Sequence, residues 1–200
     1  MNLLRQARDK QIGRCVPDLF DHKTVLYIGA KLRWNYPFFR GQDGFAAAGC
    51  AVDVVELIAA NVAKLKAVNA NGHRFQNGLR GPGMFRKIIK GDVRHVSKLT
   101  RRRYDVVMWW QGPEHVHLHE VEPTLLALWQ KTKKILLLGC PCGGITIEHP
   151  MARIERFKNS PSAHYSIFND RYFADRGFTV DVVGECGVRG NNMLAVRRRP

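Results

Sequence analysis

Short, largely apolar runs, several of them stopped by a glycine or an acid, recur along this chain. The first is Thr24-Val25-Leu26-Tyr27-Ile28-Gly29. A run this short and this unbroken predicts a strand buried on both faces, as in a parallel sheet. Gly29 suits a point where the backbone turns sharply or approaches a ligand. Ala51-Val52-Asp53-Val54-Val55-Glu56 predicts a second strand and leads into a helical stretch, Leu57 to Val68. A third, shorter strand is predicted over Lys87 to Asp92, a fourth over Tyr104 to Trp110 and a fifth over Lys134 to Gly139. Residues 178–184 and 192–197 read as two closing strands joined by a turn at 187–191.

Helical patterns fall between these runs, at residues 43–48 (with Gly49 as its C-terminal glycine), 121–131 and 167–176. Residues 1–20 read as an amphipathic helix and linker, with Leu3, Leu4 and Ile12 as packing points. Residues 69–86 carry four glycines and a proline and predict a long loop. Strands alternating with helices predict an α/β fold, a doubly wound, mostly parallel sheet with helices on both faces. The last two strands have no room for a crossover helix between them, so the C-terminal strand runs antiparallel. The expected division is a segment of residues 1–20 and one domain over 21–200.

Length and composition narrow the class. Two hundred residues, 45% of them hydrophobic, suit one globular domain with a real core. No window approaches the roughly 18 unbroken apolar residues of a membrane span, and the charged start shows no secretory signal. Five cysteines at irregular spacings suit a reducing compartment, so a cytoplasmic location is expected. Lys and Arg exceed Asp and Glu by 32 to 17, a net charge of +15 that favours anionic partners.

The position of that charge is also legible. Arg101-Arg102-Arg103 enters the fourth strand, Lys131, Lys133 and Lys134 enter the fifth, and Arg197-Arg198-Arg199 leaves the antiparallel one. All three clusters therefore fall at the sheet's N-terminal edge, opposite the carboxyl edge where such sheets bind ligands. Lys31, Arg33, Arg40, Arg74, Arg80, Arg153, Arg156 and Lys158 belong to the carboxyl side and would suit an anionic substrate.

Strand, glycine turn, helix, strand and acid is the order of a nucleotide-binding βαβ unit. Glu56 at the second strand's end can accept two hydrogen bonds from a ribose diol; the alternative is a solvated acid favoured by a helix N-terminus. Asp92 reads either as a second cofactor acid or as a loop acid capping its own turn. Glu114, His115, His117 and His119 form the densest polar cluster. His115 and His119 lie four apart and would share a face on a helix, and Cys140, Cys142 and His149 could join them around a metal. Neither a Cys-x-x-Cys nor a His-Glu-x-x-His pattern is present, so no metal is expected. His115 is instead placed at the mouth of the sheet, where it either handles a substrate proton or fixes its loop. Trp109 and Trp110 alternate faces, with both in the core or one toward the ligand.

Several of these segments, taken in order, resemble the class I S-adenosylmethionine-dependent methyltransferases over about residues 22–198. Val25 to Gly29 looks like the family's first motif, Glu56 matches the ribose-binding acid and Asp92 the acid near the adenine. Tyr104-Asp105-Val106-Val107 followed by Glu114-His115-Val116 is similar to a segment of the small-molecule branch. His164-Tyr165-Ser166-Ile167-Phe168 to Asp175-Arg176-Gly177-Phe178 resembles that branch's late segment. The chain departs from the family pattern at Gly29-Ala30-Lys31-Leu32-Arg33, which holds one glycine where three are usual, with Tyr27 where an acid is often seen. Either the 31–40 loop holds the methionine end of the cofactor, or cofactor binding is weakened.

The resemblance implies a Rossmann-like fold and S-adenosylmethionine as cofactor. It places Gly29, Ala30, Glu56, Leu57, Asp92, Val93, Trp110 and Gln111 around that cofactor. His115 and Glu114 become the catalytic candidates, and His149, His164 and Tyr165 the substrate-binding ones. The expected activity is methyl transfer to an O or N atom of a small, anionic substrate. The alternatives are a nucleic-acid methyltransferase that uses the basic surface, and a non-catalytic Rossmann-like binding module.

Overall fold

A computed structural model describes residues 12–29, 50–71, 73–74, 80–81, 85–158, 160–183 and 192–200. Ala30, the basic aromatic stretch 31–40, the helix expected at 43–48 with Gly49, Leu3, Leu4 and the turn at 187–191 lie outside the described residues. Seven strands form one sheet: β1 (Thr24–Ile28), β2 (Ala51–Glu56), β3 (Phe85–Lys90), β4 (Tyr104–Trp110), β5 (Thr132–Pro141), β6 (Thr179–Val183) and β7 (Asn192–Arg198). Their order is β6-β7-β5-β4-β1-β2-β3. β1 pairs in parallel with β2 and β4, as β2 does with β3 and β4 with β5. β7 runs antiparallel to both β5 and β6. The doubly wound, mostly parallel sheet with an antiparallel C-terminal strand is therefore present.

The alternation along each strand sorts the core into two layers. Val25, Tyr27, Val54, Met108 and Trp110 face one side, where Ile12, Val16, Leu19 and Leu65 cover them. Leu26, Ile28, Val55, Val107 and Trp109 face the other, beneath Val121, Leu125, Leu128 and Phe173. The helices supplying these lids are α1 (Ala59–Asn71) on the first face, and α3 (Leu118–Lys131) and α4 (Asp170–Ala174) on the second, joined there by the single turn α2 (Val96–Leu99). Burial on both faces explains why the strands read as continuous apolar runs rather than alternating ones.

Several boundaries differ from the sequence expectation, each for a local reason. α1 continues to Asn71 because the Asn69 amide pairs like backbone with Phe85: its Nδ2 donates to the Phe85 carbonyl and its Oδ1 accepts from the Phe85 N–H, both at 2.8 Å. The expected loop therefore begins as helix, and it holds a two-residue ribbon, His73–Arg74 with Arg80–Gly81. β3 starts two residues early and ends at Lys90, so Asp92 caps the next turn rather than closing the strand. The helix expected at 167–176 is shortened to α4, since Ser166–Ile167 pairs with Ile147–Glu148 and Asn169 caps at the Tyr172 N–H.

One buried charge sits inside the second layer. Asp53 on β2 is 1% exposed. The register between β2 and β3 slips there, with Val52 opposite Phe85 but Asp53 opposite Lys87, so Arg86 is an extra residue aimed at the carboxylate. Arg86 donates from Nε and Nη2 at 2.8 and 2.7 Å, and the Tyr104 hydroxyl donates at 2.8 Å. Burial pushes the Tyr104 phenol up to about 12, and the Asp53 carboxylate adds to the shift. Removing Arg86 would leave that carboxylate buried and uncompensated, whereas removing the phenol leaves the guanidinium in place.

Arg86→Ala should therefore cost about 3 kcal/mol and Tyr104→Phe about 1–2 kcal/mol. Denaturant unfolding of the two variants checks this; equal costs, or the reverse order, would contradict it.

Candidate active site

The strand order reverses at β1, whose neighbours are β2 on one side and β4 on the other. Connections from β1 and β4 leave in opposite directions there, which opens a crevice beyond the carboxyl ends. The structure has a cavity of about 520 Å³ at that place, within the ~300–1,000 Å³ of small-molecule sites. Gly29 ends β1 with φ +72, and a side chain there would meet no atom of the described residues within 4 Å. This is the left-handed turn beside open space that its position in the sequence implied.

Each strand end contributes to the cavity wall. β1 and β2 give Gly29, Glu56 and Leu57, while the turn after β3 gives Asp92 and Val93. β4 and the turn beyond it give Trp110, Gln111, Glu114 and His115, and a covering segment after β5 gives His164 and Tyr165. His149 does not reach the wall. Its Nδ1 accepts from the Met151 N–H at 3.1 Å, and its ring lies edge-on to His164 with centroids 6.1 Å apart.

Glu56 is 4% exposed, not solvated. Its Oε1 accepts from the Ile58 N–H at 2.9 Å and from Asn61 Nδ2 at 3.2 Å, which caps the start of α1. No described residue hydrogen-bonds to Oε2. Asp92 is more fully engaged: Oδ1 accepts from the Arg94 N–H at 2.9 Å, and Oδ2 from Arg94 Nε and Nη2 at 3.0 and 2.6 Å. Burial alone would raise Asp92, but the Arg94 bonds and charge outweigh it and hold the carboxyl below its ordinary range. Arg94 also donates from Nη1 to both oxygens of Glu120 at 2.9 Å, tying the turn after β3 to α3.

Trp109 and Trp110 are both buried and both border the cavity. Gly139 lets Trp110 in, since a Cβ there would lie 2.1 Å from its ring. Gln111 follows with φ 49, a left-handed conformation that a non-glycine residue adopts only when its surroundings enforce it. They do so through the Gln111 N–H to the Gly139 carbonyl at 2.6 Å and Gln111 Nε2 to Asn192 at 2.9 Å.

A group of His and Glu side chains fills the other part of the wall. His115 closes a 3-10 turn, Pro113–His115, and α3 begins only at Leu118. The shared helical face expected for His115 and His119 is therefore absent, and His119 is exposed. His115 Nδ1 lies 2.8 Å from the Ala163 carbonyl. A carbonyl can only accept, so Nδ1 carries a proton and Nε2 of the neutral ring keeps its lone pair. The His164 ring stands edge-on to His115, centroids 4.9 Å apart. Burial first, then the neighbouring His115 and His149, push His164 down. Glu114 is 2% exposed, its Oε2 is buried without a hydrogen-bond partner among the described residues, and burial lifts its carboxyl to about 8. His117 stacks on Tyr165 at 4.4 Å, and its Nδ1 lies 3.0 Å from Glu148. The Tyr165 hydroxyl donates to the Phe157 and Ser160 carbonyls at 2.6 and 2.9 Å, which holds the covering segment closed.

Asn61, Arg94 and Glu120 also line the cavity without having been singled out from the sequence, and so does His117 of the polar cluster read there. Asn61 was within reach of that reading, one turn into the helix that Glu56 caps. Arg94 and Glu120 are 26 residues apart, and only the fold joins them.

No family model and no curated protein matches this chain. Solved structures do match its fold. Magnesium protoporphyrin IX methyltransferase from Synechocystis with bound S-adenosylmethionine is 14% identical, with a TM-score of 0.57 over 100% of this chain and 85% of that one. The 1,6-didemethyltoxoflavin-N1-methyltransferase of Burkholderia thailandensis, with its substrate and S-adenosylhomocysteine, is 14% identical at a TM-score of 0.58, covering 98% and 77%. An S-adenosylmethionine-dependent methyltransferase from Archaeoglobus fulgidus is 12% identical at 0.55, covering 98% and 94%. The fold of this chain is that of class I S-adenosylmethionine-dependent methyltransferases.

Between the ordinary carboxylate range and about pH 8, folded Glu114 keeps a proton that the unfolded chain releases. Stability therefore falls as pH rises through that window. Glu114→Gln removes this loss, so in chelator-treated protein the variant should gain on the parent by up to roughly 1.4 kcal/mol per pH unit. Thermal unfolding at a series of pH values measures it, and a difference that does not change with pH would contradict it.

Proposed function

We propose that the protein is an S-adenosylmethionine-dependent methyltransferase acting on an O or N atom of a small, anionic molecule. The observation that carries this reading is the buried Glu56 carboxylate at the end of β2. One of its oxygens is held by the helix cap and the other has no hydrogen bond from a described residue, in the same cavity as Glu114, His115 and His164. The residues fit the cofactor: Glu56 would take the ribose hydroxyls, Gly29 and Leu57 flank them, and Asp92 and Val93 form the adenine side. Asp92 would do so through its turn rather than its carboxylate, which Arg94 occupies. Trp110 and Gln111 close the wall at the end of β4. The cofactor supplies a methyl group already activated on a sulfonium, so the chain's task is to place the acceptor atom in line and exclude water.

In this reading His115 and Glu114 manage the acceptor's proton. The Ala163 carbonyl fixes the His115 tautomer with Nε2 unprotonated. His164 and Tyr165 shape the acceptor pocket, and His149 acts from behind His164. An anionic substrate is supported by Arg153, Arg156 and Lys158, exposed on the segment that also supplies Ser160, His164 and Tyr165 to the wall. A cytoplasmic location belongs to the same proposal, supported by the thiols of Cys15 and Cys140. The disulfide at Cys142 counts against a uniformly reduced chain. Among the described residues no helix is long and apolar enough to cross a membrane.

A second reading, a nucleic-acid methyltransferase, rests on the exposed Arg101, Arg102, Arg103, Lys133 and Lys134 at the N-terminal ends of β4 and β5. Those charges lie at the edge opposite the cavity, which favours the small-molecule reading. RNA affinity that falls steeply with salt would support the second reading.

Calorimetric titration with S-adenosylhomocysteine should give micromolar binding to the parent. Glu56→Gln, which keeps the side chain's shape, should weaken it at least about tenfold, or 1.4 kcal/mol. Silence of the parent at millimolar ligand would remove the enzyme reading and favour a binding module without catalysis.

A further inference from the structure

We propose that Glu114, His115 and His164 form a site for a divalent transition-metal ion, with Zn²⁺ chemistry the best match and one coordination position open to the cavity. One ligand atom from each lies within 4.8 Å of those of the other two. A tetrahedral Zn²⁺ with bonds of ~2.0–2.1 Å holds its ligands about 3.3 Å apart, so rotations of the three side chains close the site around an ion. Two imidazoles and one carboxylate suit this class of ion, whereas Mg²⁺ and Ca²⁺ take oxygen ligands.

Three observations point to a ligand here. Glu114 Oε2 is buried with no hydrogen-bond partner among the described residues, a state that costs free energy unless something supplies a positive or donating group. His115 is oriented as a metal-binding imidazole usually is: Nδ1–H donates to a backbone carbonyl, which makes Nε2 the ring's electron-pair donor. Neither ring nitrogen of His164 is hydrogen-bonded to a described residue. The two pieces of chain are also fixed to each other on both sides of His164. The Ala163 carbonyl accepts from His115, and the Tyr165 N–H donates to the Glu114 carbonyl at 2.7 Å.

Three protein ligands and an open position make a catalytic rather than a structural site. This deepens the methyltransferase reading and rests on it by naming the acceptor as a hydroxyl. Bound at the open position, the hydroxyl loses its proton to cavity water, because the cation stabilises the oxygen anion. That oxygen's electron pair forms the new bond to the methyl carbon as the carbon–sulfur bond breaks, and the breaking pair stays on sulfur. Glu114 and His115 then serve as ligands, and the cation takes over the handling of the acceptor's proton.

The test uses untagged protein stripped with a chelator and titrated with Co²⁺ by visible absorption, then with Zn²⁺ by competition. A single equivalent bound at micromolar concentration is expected. His164→Ala and Glu114→Gln should each weaken it by at least about tenfold, and His119→Ala, outside the group, should leave it unchanged. No binding at millimolar metal, or binding that survives both substitutions, would overturn the proposal. Parallel titration with S-adenosylhomocysteine separates the two ideas. Metal bound while that ligand stays silent keeps the cation site and removes the methyltransferase reading. The ligand bound without metal does the opposite.

Discussion

Between β1 and β4 the chain changes the direction in which it adds strands, and the carboxyl ends of those two strands are left facing a crevice. The site depends on that reversal. β2 and β3 extend the sheet on one side of β1, and β4, β5, β7 and β6 extend it on the other. The groups that line the cavity therefore come from opposite halves of the sheet and meet only at the switch. Gly29 in its left-handed turn and Gln111 at φ 49 mark the two strand ends where the backbone bends away from this space.

The rest of the architecture protects that opening. Two apolar layers hold β1 from both faces, and Thr24 and Asp105 fasten the starts of β1 and β4 together at 2.9–3.0 Å. Asp53 on β2 adds a polar brace, bonded by Arg86 from β3 and by Tyr104 from β4. With the amino ends fixed, the carboxyl ends can carry an unpartnered buried carboxyl, a left-handed glutamine and a covering segment. Exposed Arg101 to Arg103 occupy the fastened edge, away from the crevice.

How much of this was legible varies with the range of the interaction. β1, β2 and β4 were readable because burial on both faces demands continuous apolar runs, and the antiparallel β7 because too few residues separate it from β6. Glu56, Asp92, Glu114 and His115 were readable because strand ends in such a sheet converge. The contacts that decide what each can do were not. Asp92 is tied up by Arg94, and Arg94 by Glu120, across 26 residues of sequence. The pairing of His115 with His164 rather than His119 depends on a 3-10 turn ending before α3, which spacing alone does not reveal. The early start of β3, with Arg86 as an extra residue, follows from the charge it must reach.

The most direct measurement is a crystal structure of the protein with S-adenosylhomocysteine. The result predicted is the ligand in the crevice, both ribose hydroxyls within about 3 Å of the Glu56 carboxylate, and the sulfur end turned toward His115 and His164. A ligand bound elsewhere, or one whose ribose leaves Glu56 to its helix cap alone, would contradict it.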